Sequence, residues 1–294
     1  MNTRASVICV ASALVALTTI FTGCASTPEA FSSPLAQSEP VVLPFSLEHS
    51  LPAVEILLGG KRVRLIVDSG ADKVAVALKP ASMVGMGLES TGDKQASLDI
   101  NGAKHKERYF VAREGLIGGL VLREVVVSEE SRDFVPCDGI LGNVFLSRFK
   151  VLLDYRKSTM TLYPLVGDIP ELASGRWVSL PFSRGVAGIM LECSWADGGR
   201  GNFCLDTGSS VGIVDAAKLE HGKPAEAGPS MVVLRDFSVE GLSFGERSFV
   251  VQDLSHLTPN GAPFAGLVGY NVLQGRRMII DFERSRIFLD TTEP

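Results

Sequence analysis

The sequence predicts a mainly β protein made of two homologous halves, with a few short helices between the strands. Three observations predict it. An apolar run that ends in Asp, a small hydroxyl residue and Gly occurs twice, as Leu65-Ile66-Val67-Asp68-Ser69-Gly70-Ala71 and as Phe203-Cys204-Leu205-Asp206-Thr207-Gly208-Ser209. Five landmarks around these runs recur in the same order in both halves, which is a repeat of two long units and not a solenoid. The landmarks are short apolar or alternating runs bounded by Gly or polar turn residues, the pattern of strands.

In the first half, Val54 to Leu58 reads as a strand and Gly59-Gly60 as a hairpin turn. Lys61 to Val67 alternates, becomes wholly apolar and delivers Asp68. A short helix is predicted near Lys79 to Met86, closed by Gly87. Gly119 to Val127 is a further strand, Asp138 to Leu146 carries Ile140-Leu141-Gly142, and Val151–Tyr155 with Thr159–Tyr163 form a final strand pair. The second half repeats this order. Gly188 to Cys193 is the strand, Gly198-Gly199 the turn, and Asp206 ends the next run. Gly241 to Val251, then Ala265 to Leu273 with Leu267-Val268-Gly269, then Met278–Phe282 and Arg286–Asp290 follow. The joint falls near Pro164 to Ser174, a weakly patterned Pro- and Gly-containing stretch. The halves are therefore placed at residues 41–165 and 176–294.

The first 23 residues read as an address rather than as fold. Arg4 precedes an apolar run from about Val7 to Phe21, short and rich in small residues for a spanning helix, with an uncleaved membrane anchor as the alternative that would equally put the body outside the cytoplasm. Phe21-Thr22-Gly23-Cys24 resembles the lipobox of a bacterial lipoprotein signal. The resemblance implies cleavage before Cys24, a lipid on its sulfur, and attachment to a membrane surface without spanning it. Residues 24–40, rich in Ser, Thr, Pro, Ala and Glu, then form a flexible tether. The expected location is the bacterial cell envelope. In a diderm cell, Ala25 after the cysteine points to the outer membrane, with the body facing the periplasm.

Composition sets further bounds. Hydrophobic residues make up 46%, enough for a real core in the body of about 250 residues left after the tether. A net charge of −5 without any basic run argues against nucleic acid as a partner. Cys137, Cys193 and Cys204 remain once Cys9 has left with the signal and Cys24 is lipidated. A hairpin turning at Gly198-Gly199 would set Cys193 opposite Cys204 at a separation a disulfide can span. A one-residue slip would put them on opposite faces. Cys137 reads as a small core residue.

A carboxylate ending an apolar strand is costly unless it is hydrogen-bonded or faces a cleft, and two of them in equivalent places suggest a paired site. His49, His105, His221 and His256 are scattered, with no His-Glu-x-x-His and no Cys/His cluster, so no metal or other cofactor is expected. No Gly-x-Ser-x-Gly occurs either.

With both Asp-Ser/Thr-Gly runs, each followed by an apolar-apolar-Gly, the chain from about Val41 onward resembles the aspartic proteases of the retropepsin and pepsin type. The resemblance implies a bilobal fold of two β-barrel-like lobes with one cleft, complete in one chain and therefore monomeric. It implies that Asp68 and Asp206 meet there as catalytic residues. Two touching carboxylates cannot both ionise cheaply, so they share a proton and can activate a water against a peptide bond. Gly70 and Gly208 would let backbone N–H groups reach the carboxylates, and Ser69 and Thr207 would hydrogen-bond across to the opposite loop. The implied partner is an extended peptide or protein substrate, covered by a flap somewhere between about Ser90 and Gly115. Tyr109 is a flap tyrosine only by position, with a core role the alternative, and Asp72-Lys73 reads as a solvated turn pair. The competing reading is a protein of the same fold that binds peptides or envelope partners without cutting them.

Overall fold

The computed structural model describes residues 20–21, 39–174, 176–185, 188–219, 230–257 and 264–292. The rest of the signal stretch, Cys24, the tether up to residue 38 and His221 lie outside the described residues. The strands in chain order are β1 (Ile20–Phe21), β2 (Val41–Pro44), β3 (Ser46–Glu48), β4 (Leu51–Leu58), β5 (Lys61–Val67) and β6 (Val76–Leu78). After helix α1 (Pro80–Met83) come β7 (Glu89–Leu98), β8 (Lys104–Ile117), β9 (Leu120–Glu129) and β10 (Gly139–Leu141). Helix α2 (Asn143–Leu146) leads into β11 (Lys150–Asp154) and β12 (Thr159–Tyr163). The second half holds β13 (Trp177–Pro181), β14 (Ser183–Gly185), β15 (Gly188–Trp195), β16 (Gly199–Leu205), β17 (Gly212–Asp215), β18 (Ser230–Val239), β19 (Leu242–Gln252) and β20 (Gly266–Val268). Helix α3 (Tyr270–Leu273), β21 (Arg277–Asp281) and β22 (Arg286–Asp290) complete it.

The fold is mainly β and bilobal, as predicted. In the first lobe the pairing runs β4-β5-β10-β6-β9-β8 and closes from β8 back to β4, a ring of strands. In the second, β15-β16-β20-β17-β19-β18 closes from β18 back to β15 in the same way. Ring closure removes the open sheet edges that a flat sheet would expose. In both rings the run that ends at the aspartate lies parallel to the strand of the apolar-apolar-Gly landmark: Leu141 is opposite Val67, and Val268 opposite Leu205. A third sheet of six strands, β13-β22-β21-β11-β12-β2, joins the lobes. At its centre β11 meets β21 antiparallel, with Leu152 opposite Ile279. These two residues occupy equivalent places in the two halves, so the sheet straddles an approximate two-fold axis.

The alternation of β11, β12, β21 and β22 places Val151, Leu153, Met160, Leu162, Ile280 and Leu289 in the main core. The opposite face buries Leu152 and Ile279 under Ile169, Leu172 and Trp177. The joint between the halves therefore packs as a cover on this sheet, and the Trp177 indole N–H donates to the Glu171 carbonyl at 2.7 Å.

Two local expectations need correction. The helix expected over Lys79 to Met86 is one turn, Pro80–Met83, because Val84 is extended and Gly85 and Gly87 are left-handed. The β15–β16 hairpin does not turn at Gly198-Gly199. Its turn is Ala196–Gly198, centred on Asp197 at φ 65°, and Trp195 pairs with Gly199. Cys193 consequently faces Gly201, and Cys204 faces Met190. The displacement is an odd number of residues, so the two thiols sit on opposite faces, Cys193 in the main core and Cys204 in a separate cluster. They are not joined in a disulfide.

By contrast, Gly59-Gly60 forms the predicted two-residue turn, with φ 54° and 78° and Leu58 paired to Lys61. A Cβ on Gly59 would also stand 2.4 Å from the Met86 carbonyl oxygen.

Candidate active site

Strands β5 and β16 bring Asp68 and Asp206 together between the lobes, each fully buried. Each backbone N–H is fixed by the neighbouring strand: Asp68 donates to Leu141 O and Asp206 to Val268 O, both at 3.0 Å. The carboxylates are then oriented by the loops that follow. Gly70 N–H donates to Asp68 Oδ1 and Gly208 N–H to Asp206 Oδ1, both at 2.8 Å, and Ala71 N–H adds a 3.1 Å bond to Asp68. The same glycines make the approach of the lobes feasible. A Cβ on Gly70 would lie 2.7 Å from Asp206 Cγ, and one on Gly208 2.5 Å from Asp68 Cγ. Each glycine thus floors the carboxylate of the opposite half.

Ser69 and Thr207 lock the two loops reciprocally. Ser69 N–H donates to Thr207 Oγ1 and Thr207 N–H to Ser69 Oγ, both at 3.0 Å. Their hydroxyls in turn donate across the interface, Ser69 to Leu205 O at 2.8 Å and Thr207 to Val67 O at 2.7 Å. Both residues are buried, and each hydroxyl acts once as donor and once as acceptor. The landmark loops brace the outside. Asn143 N–H donates to Ala71 O, and Tyr270 N–H to Ser209 O, both at 2.9 Å.

The electrostatics follow from this geometry. Burial, and next the Asp206 carboxylate beside it, raise the pKa of Asp68 well above the usual carboxylate range. Arg132 and the Gly70 N–H oppose that rise. Asp68 Oδ2 is buried, and a side-chain hydrogen bond between Asp68 and Asp206 adds to the rise. Two carboxylates this close disfavour double ionisation, so the pair titrates as a unit rather than as two separate acids.

Several participants were not marked by any motif. Asn143 is buried, and its Nδ2 donates to Ser69 O at 2.7 Å. Its only sequence signal is its place directly after Ile140-Leu141-Gly142, and the equivalent residue in the second half is Tyr270. Arg132 is buried with Glu130 in a two-pronged ion pair, Nε to Oε1 at 2.7 Å and Nη2 to Oε2 at 2.5 Å. Glu107 stands close enough to be attracted by Arg132, and burial above all pushes its carboxyl up to about 7. In the sequence, Glu129-Glu130-Ser131-Arg132-Asp133 looks like any solvated turn.

Asp72 departs from the solvated pair expected of it. It is half-buried, burial raises its pKa, and Arg184, the Asn143 side chain and Lys73 counter the rise. Tyr109 is a buried strand residue on β8. The hairpin made by β7 and β8, with its tip at Asp99–Ala103, lies within the span expected to hold a flap. Among the described residues no group of three or more His, Cys, Asp and Glu side chains is arranged to hold a metal ion.

This is the fold of the bilobal, pepsin-like aspartic proteinases, with one Asp-Ser/Thr-Gly loop from each lobe at the interface. Among solved structures the chain is similar to the aspartic proteinase from Irpex lacteus, with a TM-score of 0.59 and 15% identity, over 87% of this chain and 98% of that one. No protein-family model matches the chain, and no curated protein matches it by sequence.

Proposed function

We propose that the chain is an aspartic endopeptidase that hydrolyses peptide bonds with a water activated between Asp68 and Asp206. The observation that carries this reading is the reciprocal construction of the two loops: each carboxylate takes its own glycine N–H and lies against the other lobe's glycine. A pair sharing one proton can do both halves of the chemistry. The ionised carboxylate takes a proton from the water as it attacks the carbonyl carbon. The protonated partner hydrogen-bonds the carbonyl oxygen, and the leaving nitrogen is then protonated from the pair. The two acids act as a unit, so no single pKa belongs to either role. In this reading Ser69 and Thr207 position the carboxylates and do not touch substrate.

The N-terminal signal, with lipid on Cys24, would tether the enzyme to the bacterial envelope, with its partner a peptide or protein reached at that surface. The test is cleavage of a complex peptide library by the purified chain from acid to neutral pH, with Asp206→Asn beside it. Cleavage by the parent and none by a folded variant supports the enzyme. No cleavage by a folded parent favours a peptide-binding role for the same fold. Cys24 acylation is checked separately by mass spectrometry of the N-terminal peptide, where an unmodified thiol would remove the tether.

A further inference from the structure

The β7–β8 hairpin crosses to the other lobe. Its tip is prebuilt: Asp99 Oδ1 accepts from the N–H groups of Asn101 and Ala103, both at 2.9 Å, and Asp99 N–H donates to Ala103 O at 3.0 Å. His105 braces it from the first lobe, with Nε2 3.0 Å from Asp99 Oδ2 and Nδ1 3.1 Å from Ser131 Oγ. At its far end the tip is held by the second lobe. Gln252 Nε2 donates to Ile100 O at 3.0 Å and lies 3.3 Å from Asn101 Oδ1. His256 Nε2 also donates to Ile100 O, at 3.0 Å. Gly102 fits against the His256 ring, where a Cβ would lie 3.1 Å from Cδ2.

The side chains match this docking. Leu98 and Ile100 are buried in a cluster made otherwise by the second lobe, including Met190, Cys204, Ile213 and Leu267. Cys204 is two residues before Asp206 on the strand that delivers it. The equivalent cluster of the first lobe, around Ile66 and Ile140, is filled by that lobe's own Leu51, Ala53 and Val135. The second lobe's cluster is thus completed by a segment borrowed from the first, and both aspartates are shut off from solvent.

We propose that this hairpin is a self-blocking latch: Ile100 fills the apolar recess beside Asp206, and Gln252 and His256 set how often it leaves. The inference rests on the reading of the aspartate pair as a peptide-cleaving site. A binding-competent state populated to a small fraction weakens apparent affinity by that fraction. Loosening the latch therefore acts on KM and leaves kcat nearly unchanged.

The experiment is amide hydrogen exchange of the full chain, read by mass spectrometry over residues 98–103, for the parent, Asp206→Asn and Gln252→Ala/His256→Ala. Residues 150–154 and 277–281 serve as the folded reference. The latch predicts slow exchange at 98–103 in the parent and in Asp206→Asn. It predicts exchange at least about tenfold faster in the double variant, with the reference segments unchanged. Where the parent cleaves peptides, KM should fall several-fold in the double variant. Fast exchange at the tip in the parent, or none gained in the double variant, overturns the latch. Loss of cleavage in every form, with the exchange pattern intact, overturns the enzyme reading and leaves the docking contact standing.

Discussion

Ser69 and Thr207 exchange hydrogen bonds at the interface of the lobes: the N–H of each donates to the other's hydroxyl oxygen at 3.0 Å. Each hydroxyl then donates onward to a strand of the opposite half. Removing one hydroxyl strands a buried N–H and takes a donor from a buried carbonyl, at about 1–3 kcal/mol for a group left without a partner. Ser69→Ala and Thr207→Val should both lower the denaturant midpoint, whereas Thr207→Ser should stay close to the parent. Equal midpoints for Thr207→Val and Thr207→Ser would show that the lock contributes nothing.

The glycines opposite the carboxylates give a second prediction. Gly70→Ala would set a methyl group 2.7 Å from Asp206 Cγ, and Gly208→Ala one 2.5 Å from Asp68 Cγ. One carboxylate must then move, and a displacement near 1 Å at a reacting group costs about 10²-fold in rate. On the endopeptidase reading proposed above, peptide cleavage should fall by about that factor in either variant, with circular dichroism close to the parent's.

The raised pKa of Asp68 fixes the sign of a pH effect. Its folded pKa lies above its unfolded value, so the native state holds the proton more tightly. The stability this contributes is fully present below the unfolded pKa and is lost as pH rises through the folded one. Asp206→Asn removes the second cause of the rise and leaves burial, the first. The variant should therefore be more stable than the parent at neutral pH, with the difference shrinking toward pH 4. Urea titrations across that range measure it, and a variant less stable than the parent at pH 7 would contradict the shared-proton picture.

Glu107 behaves alike on a scale that can be sized. Burial is the leading cause of its rise from 4.5 to about 7, with the Ser97 hydroxyl and Arg132 holding it back. Across that window the parent should lose about 3 kcal/mol relative to a protein with an ordinary glutamate. Glu107→Gln keeps an acceptor for Ser97 and should flatten the pH dependence of stability between 4.5 and 7. An unchanged slope would place the titration elsewhere.

The cysteines give a prediction free of any functional reading. Cys193 and Cys204 are buried thiols in different clusters, and burial raises both of their pKa values. Reductant should leave the melting temperature unchanged, and alkylation under native conditions should leave both unmodified until the chain unfolds. A mass two hydrogens short in the peptide pair would restore the bridge.

Much of this fold was legible because the repeat left its marks where burial is deepest. Lys61–Val67 reads as a strand from its alternation, and Asp68 stands out because a carboxylate there requires an explanation. The loops around Gly70 and Gly208 were legible for the same reason. The β7–β8 hairpin was legible only as a span, since Glu89–Leu98 is exposed along most of its length and carries no apolar alternation. Its two anchoring side chains, Leu98 and Ile100, are buried by the other lobe, which no local pattern encodes. The register of β15 on β16 failed for a different reason. Gly198-Gly199 is the stronger turn signal, but Asp197 takes the left-handed conformation and the reversal centres there. Glu130 and Arg132 look like surface charge until the fold folds them inward.

The pairing of Leu152 with Ile279 across β11 and β21 has a consequence for how the molecule is made. The seam of the central sheet is formed by strands that leave the ribosome at very different times. Until Arg277–Asp290 has emerged, β11 offers an open row of backbone donors and acceptors, a template for any passing strand. An identical nascent half can satisfy that row by symmetry. A translation product truncated before Arg277 is therefore the form expected to dimerise or aggregate through that edge.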